Sequence, residues 1–198
     1  SSVLDEIWKA NLRISSPVEG FEKYAKSLYN IDRQYRKYIY SSEMAEHQNI
    51  LKDLTSIIEK AYGNSFLLEL NNNWQAVVDK MATWQIDKAI AQRDFFKTWV
   101  EPYLIKDNRV FVIISDGLRF ESASELRERI IQEDRYTAEL TPVLGSLPSY
   151  TQLGMASLLP HKSISFNDQT DSVFIDGQSI QGTPNRTKVL QQFDKKMV

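Results

Sequence analysis

The run Val110-Phe111-Val112-Ile113-Ile114, leading straight into Ser115-Asp116-Gly117, constrains this chain more than any other stretch. Consecutive apolar, mostly β-branched residues fit a strand covered on both faces, as in a parallel sheet. Gly117 lets the backbone turn at once, and Ala123, Leu126, Ile130 and Ile131 mark the apolar face of a following amphipathic helix. In open α/β sheets the crevice beyond the carboxyl ends of the strands is where ligands bind. Asp116 therefore reads either as a residue of chemistry or, more plainly, as a cap for that helix.

A second polar entry into a helix lies at Leu147-Pro148-Ser149-Tyr150-Thr151-Gln152-Leu153-Gly154-Met155-Ala156-Ser157-Leu158-Leu159-Pro160. Ser149 and Thr151 both fall where the helix begins. A hydroxyl there can cap free N–H groups. It can also be a nucleophile, because a phosphoryl group transferred to it would lie among those same N–H groups at the positive end of the helix dipole. Gly154 and Ala156 leave one side of the helix small enough for close packing.

Ahead of residue 105 the pattern is helical. Ser16-Pro17-Val18-Glu19 has capping-box spacing with Pro at the first helical position, and Phe21, Tyr24, Leu28, Ile31, Tyr35 and Tyr38 recur at helical intervals. Ile50, Leu51, Leu54, Ile57, Ile58 and Ala61 predict a second helix, ended by Gly63-Asn64. Leu68, Trp74, Val77, Val78 and Met81 predict a third from near Ser65, and Ile86, Ala89, Ile90, Phe96 and Trp99 a fourth that stops before Pro102. An aromatic stripe at this spacing is the interior of a bundle. The cluster Asp32-Arg33-Gln34-Tyr35-Arg36-Lys37 reads as a solvated helix face, with partner binding as the minority reading.

After residue 105 strands and helices alternate: the strand before Asp116, its helix, a strand at Tyr136 to Leu140, the Thr151 helix, a strand at Ser172 to Ile175 and a helix from Thr183-Pro184. The expected fold class is α/β, with a helical module over 1–104 and the start of a parallel sheet with flanking helices over 105–198.

Composition adds exclusions. With 42% hydrophobic residues the chain can bury a real core, no apolar run approaches a membrane span, and zero Cys rules out a disulfide framework. A net charge of -2 gives no overall basic character, hence no compositional argument for nucleic acid. The expected location is the cytoplasm.

The pairing of Ile-Ile-Ser-Asp-Gly-Leu-Arg-Phe-Glu at 113–121 with the 147–160 segment resembles the PglZ family of bacterial phage-defence proteins, and most of all the PglZ of type 1 BREX systems. Ile-Asp-Gly-Gln-Ser-Ile-Gln-Gly-Thr-Pro-Asn-Arg-Thr-Lys-Val-Leu at 175–190 and Tyr29-Asn30-Ile31-Asp32-Arg33-Gln34-Tyr35-Arg36 fit the same family, so the resemblance runs from about residue 20 to the end. It implies an alkaline-phosphatase-superfamily core, a parallel sheet with a two-metal site that usually holds zinc. Carried over, Asp116 matches the first metal ligand, and Thr151 matches both a ligand and the nucleophile. Ser149 is the lesser candidate for the attacking hydroxyl. Arg119 belongs to the signature and would hold a substrate phosphate oxygen, unless it is merely solvated.

The resemblance makes chemical sense of these residue types. Two close divalent cations lower the pKa of a hydroxyl and stabilise a leaving oxygen, whereas a neutral Thr alone is a poor nucleophile. Catalytic zinc takes about three protein ligands, and this chain has no Cys and two His. His47 reads as a solvated helix residue and His161 as a surface residue, so the remaining ligands are expected from later strands. The chain begins Ser-Ser-Val and ends in an expected helix bearing Val189, Leu190 and Phe193. It reads as a piece of a longer protein, inert by itself.

Three functions follow. The first is a metal-dependent phosphohydrolase or phosphodiesterase in phage defence, acting on nucleic acid or a nucleotide, with other BREX proteins as partners and no membrane. The second is a non-catalytic scaffold that docks other defence proteins. The third, without the resemblance, is a flavodoxin-like domain with Asp116 as phosphate acceptor or nucleotide contact, which a compact sheet complete within residues 105 to 198 would favour.

Overall fold

The computed structural model describes residues 3–45, 48–106, 108–167, 169–195 and 197. In chain order the helices α1 (Val3–Lys9), α2 (Pro17–Lys23), α3 (Tyr29–Glu43), α4 (Gln48–Lys60) and α5 (Leu68–Val78) come first. They are followed by β1 (Ile90–Ala91), α6 (Glu101–Leu104), α7 (Phe120–Gln132), β2 (Val143–Leu144), α8 (Thr151–Leu158), β3 (Ile164–Asn167), β4 (Ser172–Ile175), β5 (Gln178–Ser179) and α9 (Thr183–Phe193). The class is α/β, as expected. Among the described residues no helix is long and apolar enough to cross a membrane.

Two compact units are formed, Ser1–Asp87 with Leu118–Pro142, and Lys88–Gly117 with Val143–Val198. They are drawn differently from the sequence division at 104/105, because α7 packs on α3 within the first unit.

The first unit is a helical bundle. Ser16 Oγ caps α2 by accepting from Glu19 N at 3.1 Å, while the Glu19 carboxylate reaches back to Ser15 N at 2.9 Å, one residue earlier than the expected capping box. α2 runs through a π-helical turn, Tyr24–Leu28, into α3. Gly20 lets α2 approach α5, since a Cβ there would meet Trp74 ring atoms at 2.7 and 2.8 Å. The aromatic stripe is interior, as its spacing predicts: Tyr24, Tyr35 and Tyr38 pack on a core of Leu28, Ile31, Ile58, Ala61 and Phe66, and Tyr35 stacks on Tyr62 with centroids 3.7 Å apart.

Gly63-Asn64 does not end a helix. The chain passes through a second π turn, Ala61–Leu67, and continues as α5. A single Gly costs about 1 kcal/mol in a helix, less than the burial of Phe66 and Leu70 on the far side can return.

The Asp32–Lys37 cluster is not a solvated face. Arg33 Nη1 lies 2.7 Å from Glu128, and Arg36 holds both Glu121 and Glu125. α7 correspondingly buries its polar side, Glu121 and Ser124, and leaves Leu126 and Ile131 exposed, the reverse of the face its apolar residues predict. The ion pairs with α3 decide the orientation.

In the second unit β1 and β2 form a parallel pair, and β3-β4-β5 an antiparallel sheet. α8 packs on β4, around Ala156, Val173, Ile175, Ile180 and Val189. The expected strand at 172–175 and the helices from Thr151 and Thr183 are present. The expected fourth helix is replaced by β1, a 3-10 turn, a π turn and α6, whose first turn accommodates Pro102. Residues 136–140 form no strand.

Nor does Val110–Ile114. These residues are irregular, with Phe111 81% and Ile113 92% exposed. A central strand needs neighbours on both edges for its N–H and C=O groups, and no described strand pairs with it. The compact sheet that would favour the flavodoxin-like reading is not present among the described residues.

Candidate active site

Asp116 and Thr151 converge although they are 35 residues apart: the Thr151 hydroxyl points at Asp116 Oδ2 from 3.4 Å. The distance is long for an O–H···O bond, and both side chains are exposed. Gly117, which follows Asp116, has φ +70 and nothing within 4 Å of where a Cβ would sit. Backbone conformation, not space, favours glycine at this turn.

Thr151 is the first residue of α8. The N-cap position belongs to Tyr150, with extended φ -144 and ψ 157 and no side-chain cap bond, so neither Thr151 nor Ser149 has the capping role. Intrahelical bonding begins with Gly154 N to Tyr150 O at 3.0 Å. The N–H groups of Thr151, Gln152 and Leu153 therefore lack helical acceptors and form a positive, anion-attracting end beside the hydroxyl. Tyr150 anchors this end by packing against the second unit's core, and that burial pushes its phenol pKa up. For Asp116, the N-cap of α7 is Arg119, three residues further on.

Three residues that sequence reasoning passed over fix α8. Gln92 Oε1 accepts from Ser146 N at 3.2 Å, and its Nε2 donates to Gly154 O at 3.5 Å. Ser157, 1% exposed, donates to Leu153 O at 2.8 Å and meets Ser146 Oγ at 2.7 Å. The loop into α8 is thus tied to the helix body at two points. The one sequence signal was a serine among the apolar residues of this short helix.

Arg119 belongs to the first unit, is exposed, and its charge opposes the rise of the Tyr62 phenol pKa. Burial first, and then the negative charge of Asp32 and its hydrogen bond, raise that pKa. His161 sits beyond the other end of α8, roughly 12 Å of helix from Thr151, with Nδ1 2.7 Å from Leu159 O. It does not join the Asp116–Thr151 pair. His47 lies outside the described residues. Among the described residues no three His, Cys, Asp or Glu side chains form a metal-binding group.

A carboxylate and a hydroxyl are oxygen donors of the kind divalent cations accept. Two are fewer than the three protein ligands of a catalytic zinc. The pair fits one edge of a metal site.

The BREX system PglZ alkaline phosphatase-like domain model matches residues 95–197. The chain belongs to the PglZ family. It is 41% identical over 181 residues to the alkaline phosphatase-like protein BrxZ of Escherichia coli O9:H4 (strain HS), covering 87% of this chain and 21% of that protein. It is 34% identical over 183 residues to the alkaline phosphatase-like protein PglZ of Bacillus cereus (strain H3081.97), covering 91% of this chain and again 21% of the relative. The chain thus spans about a fifth of the length of these relatives. No solved structure matches.

The remaining segments that resemble PglZ have structural tasks. Asp176 and Gly177, with φ 49 and 83, make the two-residue turn between β4 and β5. Burial acts to raise the Asp176 pKa, but bonds from Lys162 N, Ser163 N and Ser163 Oγ hold it below its usual value. The 29–36 segment supplies Asp32, which accepts from Tyr24 Oη at 2.5 Å and Tyr62 Oη at 2.9 Å, and Arg36, which holds Glu121.

Proposed function

We propose that this chain contributes the nucleophile, Thr151, and the first metal ligand, Asp116, to a metal-dependent phosphohydrolase or phosphodiesterase of BREX phage defence. The observation that supports this reading is the 3.4 Å approach of the two oxygens at the uncapped start of α8, within the segment similar to alkaline phosphatase-like proteins. Residues 1–104 are the helical module and 105–198 the first part of the phosphatase-like domain. Val110–Ile114, irregular in this chain, would become a paired strand in a protein of the relatives' length.

Asp116 and Thr151 would hold a divalent cation, zinc in the expected case, that lowers the hydroxyl pKa and stabilises charge on the phosphate. Asp116 orients the Thr151 hydroxyl by accepting its hydrogen bond, so that a lone pair of Oγ1 is free for phosphorus. The N–H groups opening α8 receive phosphate oxygens. Oγ1 bonds to phosphorus as the ester oxygen leaves, the hydroxyl proton passing by way of Asp116 and solvent to the leaving oxygen, and water then displaces Oγ1 from phosphorus and returns a proton to Thr151. Arg119 is a proposed phosphate contact on the strength of the signature alone. Nucleic acid is the proposed substrate, other BREX components the partners, and the cytoplasm the location.

In a protein of the relatives' length, Thr151→Ala and Asp116→Ala should each lower hydrolysis of a chromogenic phosphodiester by about three orders of magnitude, and the double variant little further, because the two act as a unit. Retention of most activity by Thr151→Ala would transfer the attack to Ser149 or water. The 198-residue chain alone should take up no stoichiometric zinc. Stoichiometric uptake with Thr151-dependent turnover would show that two oxygen donors are not its whole site.

A further inference from the structure

We propose that a cavity in the second unit, at the end of α8 remote from Thr151, binds an organic phosphate with an aromatic body, of the size of a nucleoside monophosphate. The cavity has a volume of about 520 Å³, within the range of small-molecule sites. Arg93 and Lys97, four residues apart, line it together with Lys162. Among the described residues none of these three cations is in an ion pair.

Two carboxylates line the cavity as well, Glu101 and Asp176. Asp176 is occupied with Lys162 N and Ser163 N, at 3.2 and 2.8 Å. Three cations thus stand against two carboxylates, a net positive lining, and the Asp176 carboxylate is turned to the Lys162 and Ser163 N–H groups. The carbonyl end of α8 would oppose an anion, but His161 Nδ1 lies 2.7 Å from Leu159 O and donates to it in the matching tautomer. That leaves Nε2 to accept a hydrogen bond from a ligand hydroxyl.

The apolar part of the site is aromatic. Phe96 is 6% exposed, and Phe193 meets it edge-on with centroids 4.7 Å apart at 78°. Phe193 itself remains 45% exposed and lines the cavity. A flat ring can stack on it, while Arg93, Lys97 and Lys162 hold a phosphate through charge-assisted bonds. The site uses neither Asp116 nor Thr151.

The experiment is a calorimetric titration of the 198-residue chain with AMP, adenosine and inorganic phosphate at low salt. AMP should bind saturably and at least about tenfold more tightly than either part alone, since both halves of the site are then engaged. The Arg93→Ala/Lys97→Ala variant should lose about tenfold or more, Lys162→Ala several-fold, and Phe193→Ala several-fold through lost stacking. Thr151→Ala should bind like the parent. All four altered cavity side chains are at least partly exposed, and a thermal melt by circular dichroism checks that each variant is folded. A 5′-phosphorylated oligonucleotide that binds as tightly as AMP makes the natural ligand a strand end, whereas weaker binding makes it a free nucleotide. The proposal is overturned if AMP does not saturate, if it binds no tighter than phosphate, or if folded Arg93→Ala/Lys97→Ala keeps the parent affinity.

Discussion

Arg36 holds the carboxylate of Glu121 with two nitrogens: Nε lies 2.9 and 3.0 Å from its oxygens, and Nη2 lies 2.9 Å from Oε2. Glu121 is 1% exposed, whereas the Arg36 side chain is 43% exposed. Arg36→Ala should therefore leave a carboxylate buried without its ion-pair partner, at a cost of about 3–5 kcal/mol. Arg36→Met with Glu121→Leu should cost less than Arg36→Ala alone, because no charge is stranded. Urea unfolding of the three proteins checks this; a single variant within about 0.5 kcal/mol of the parent would show that the pair contributes nothing.

Glu125 accepts from the same Arg36 Nη2, at 2.6 Å, and is met by Arg129 and Lys37. Hydrogen bonding from Arg36 first, then from Arg129, holds its pKa at about 2 against a usual 4.5. The folded pKa is depressed, so the stabilisation is present above pH 4.5 and fades as the pH falls toward 2. Glu125→Gln should lower the urea midpoint at pH 7 and leave it close to the parent's at pH 2. A gap that is constant with pH would contradict the linkage.

Gly20→Ala sets two effects against each other. Helix propensity favours the alanine by about 1 kcal/mol. The new Cβ would meet Trp74 ring carbons at 2.7 and 2.8 Å, and overpacking of this kind costs about 1–3 kcal/mol. The variant should melt lower than the parent, with altered Trp fluorescence. A higher melting temperature would mean that the α2–α5 contact yields easily.

Gln92→Glu tests the fastening of α8. A carboxylate can still accept from Ser146 N but repels Gly154 O, where the amide donates. The variant should lose about 1–2 kcal/mol of stability. In a protein of the relatives' length it should also lower phosphodiester hydrolysis, with kcat and KM both affected, because Thr151 and the N–H groups that receive the phosphate move together with α8. Unaltered hydrolysis would make Gln92 a stabilising residue only.

What was legible in the sequence follows the range of the interactions. The starts of α2 and α9 carry local signals, a capping Ser16 and Pro in the first turn, and were found where expected, whereas α8 begins where expected without a side-chain cap. Val110–Ile114 was read correctly for composition and wrongly for state, since pairing is non-local and composition does not say whether a neighbour is present. α7 was read by its apolar residues, yet Arg36 and Arg33, over eighty residues earlier, turn its acidic side inward. The approach of Asp116 and Thr151 was expected from the motifs. Gln92 was not, because an amide that ties two backbone segments leaves no pattern at any fixed spacing.

The π turn at Ala61–Leu67 gives the run from Gln48 to Val78 a property of length. Such a turn carries one residue more than the α turn it replaces, so the surplus residue is the one whose loss leaves the flanking helices in phase. Deleting Asn64, which is exposed, should regularise the helix and keep Ile58 and Leu70 on one side. The same deletion inside α5 would rotate everything beyond it by about 100°. Proteins sharing this bundle can therefore differ by one residue at this place, and at few others in the helix, without altering what the helix buries.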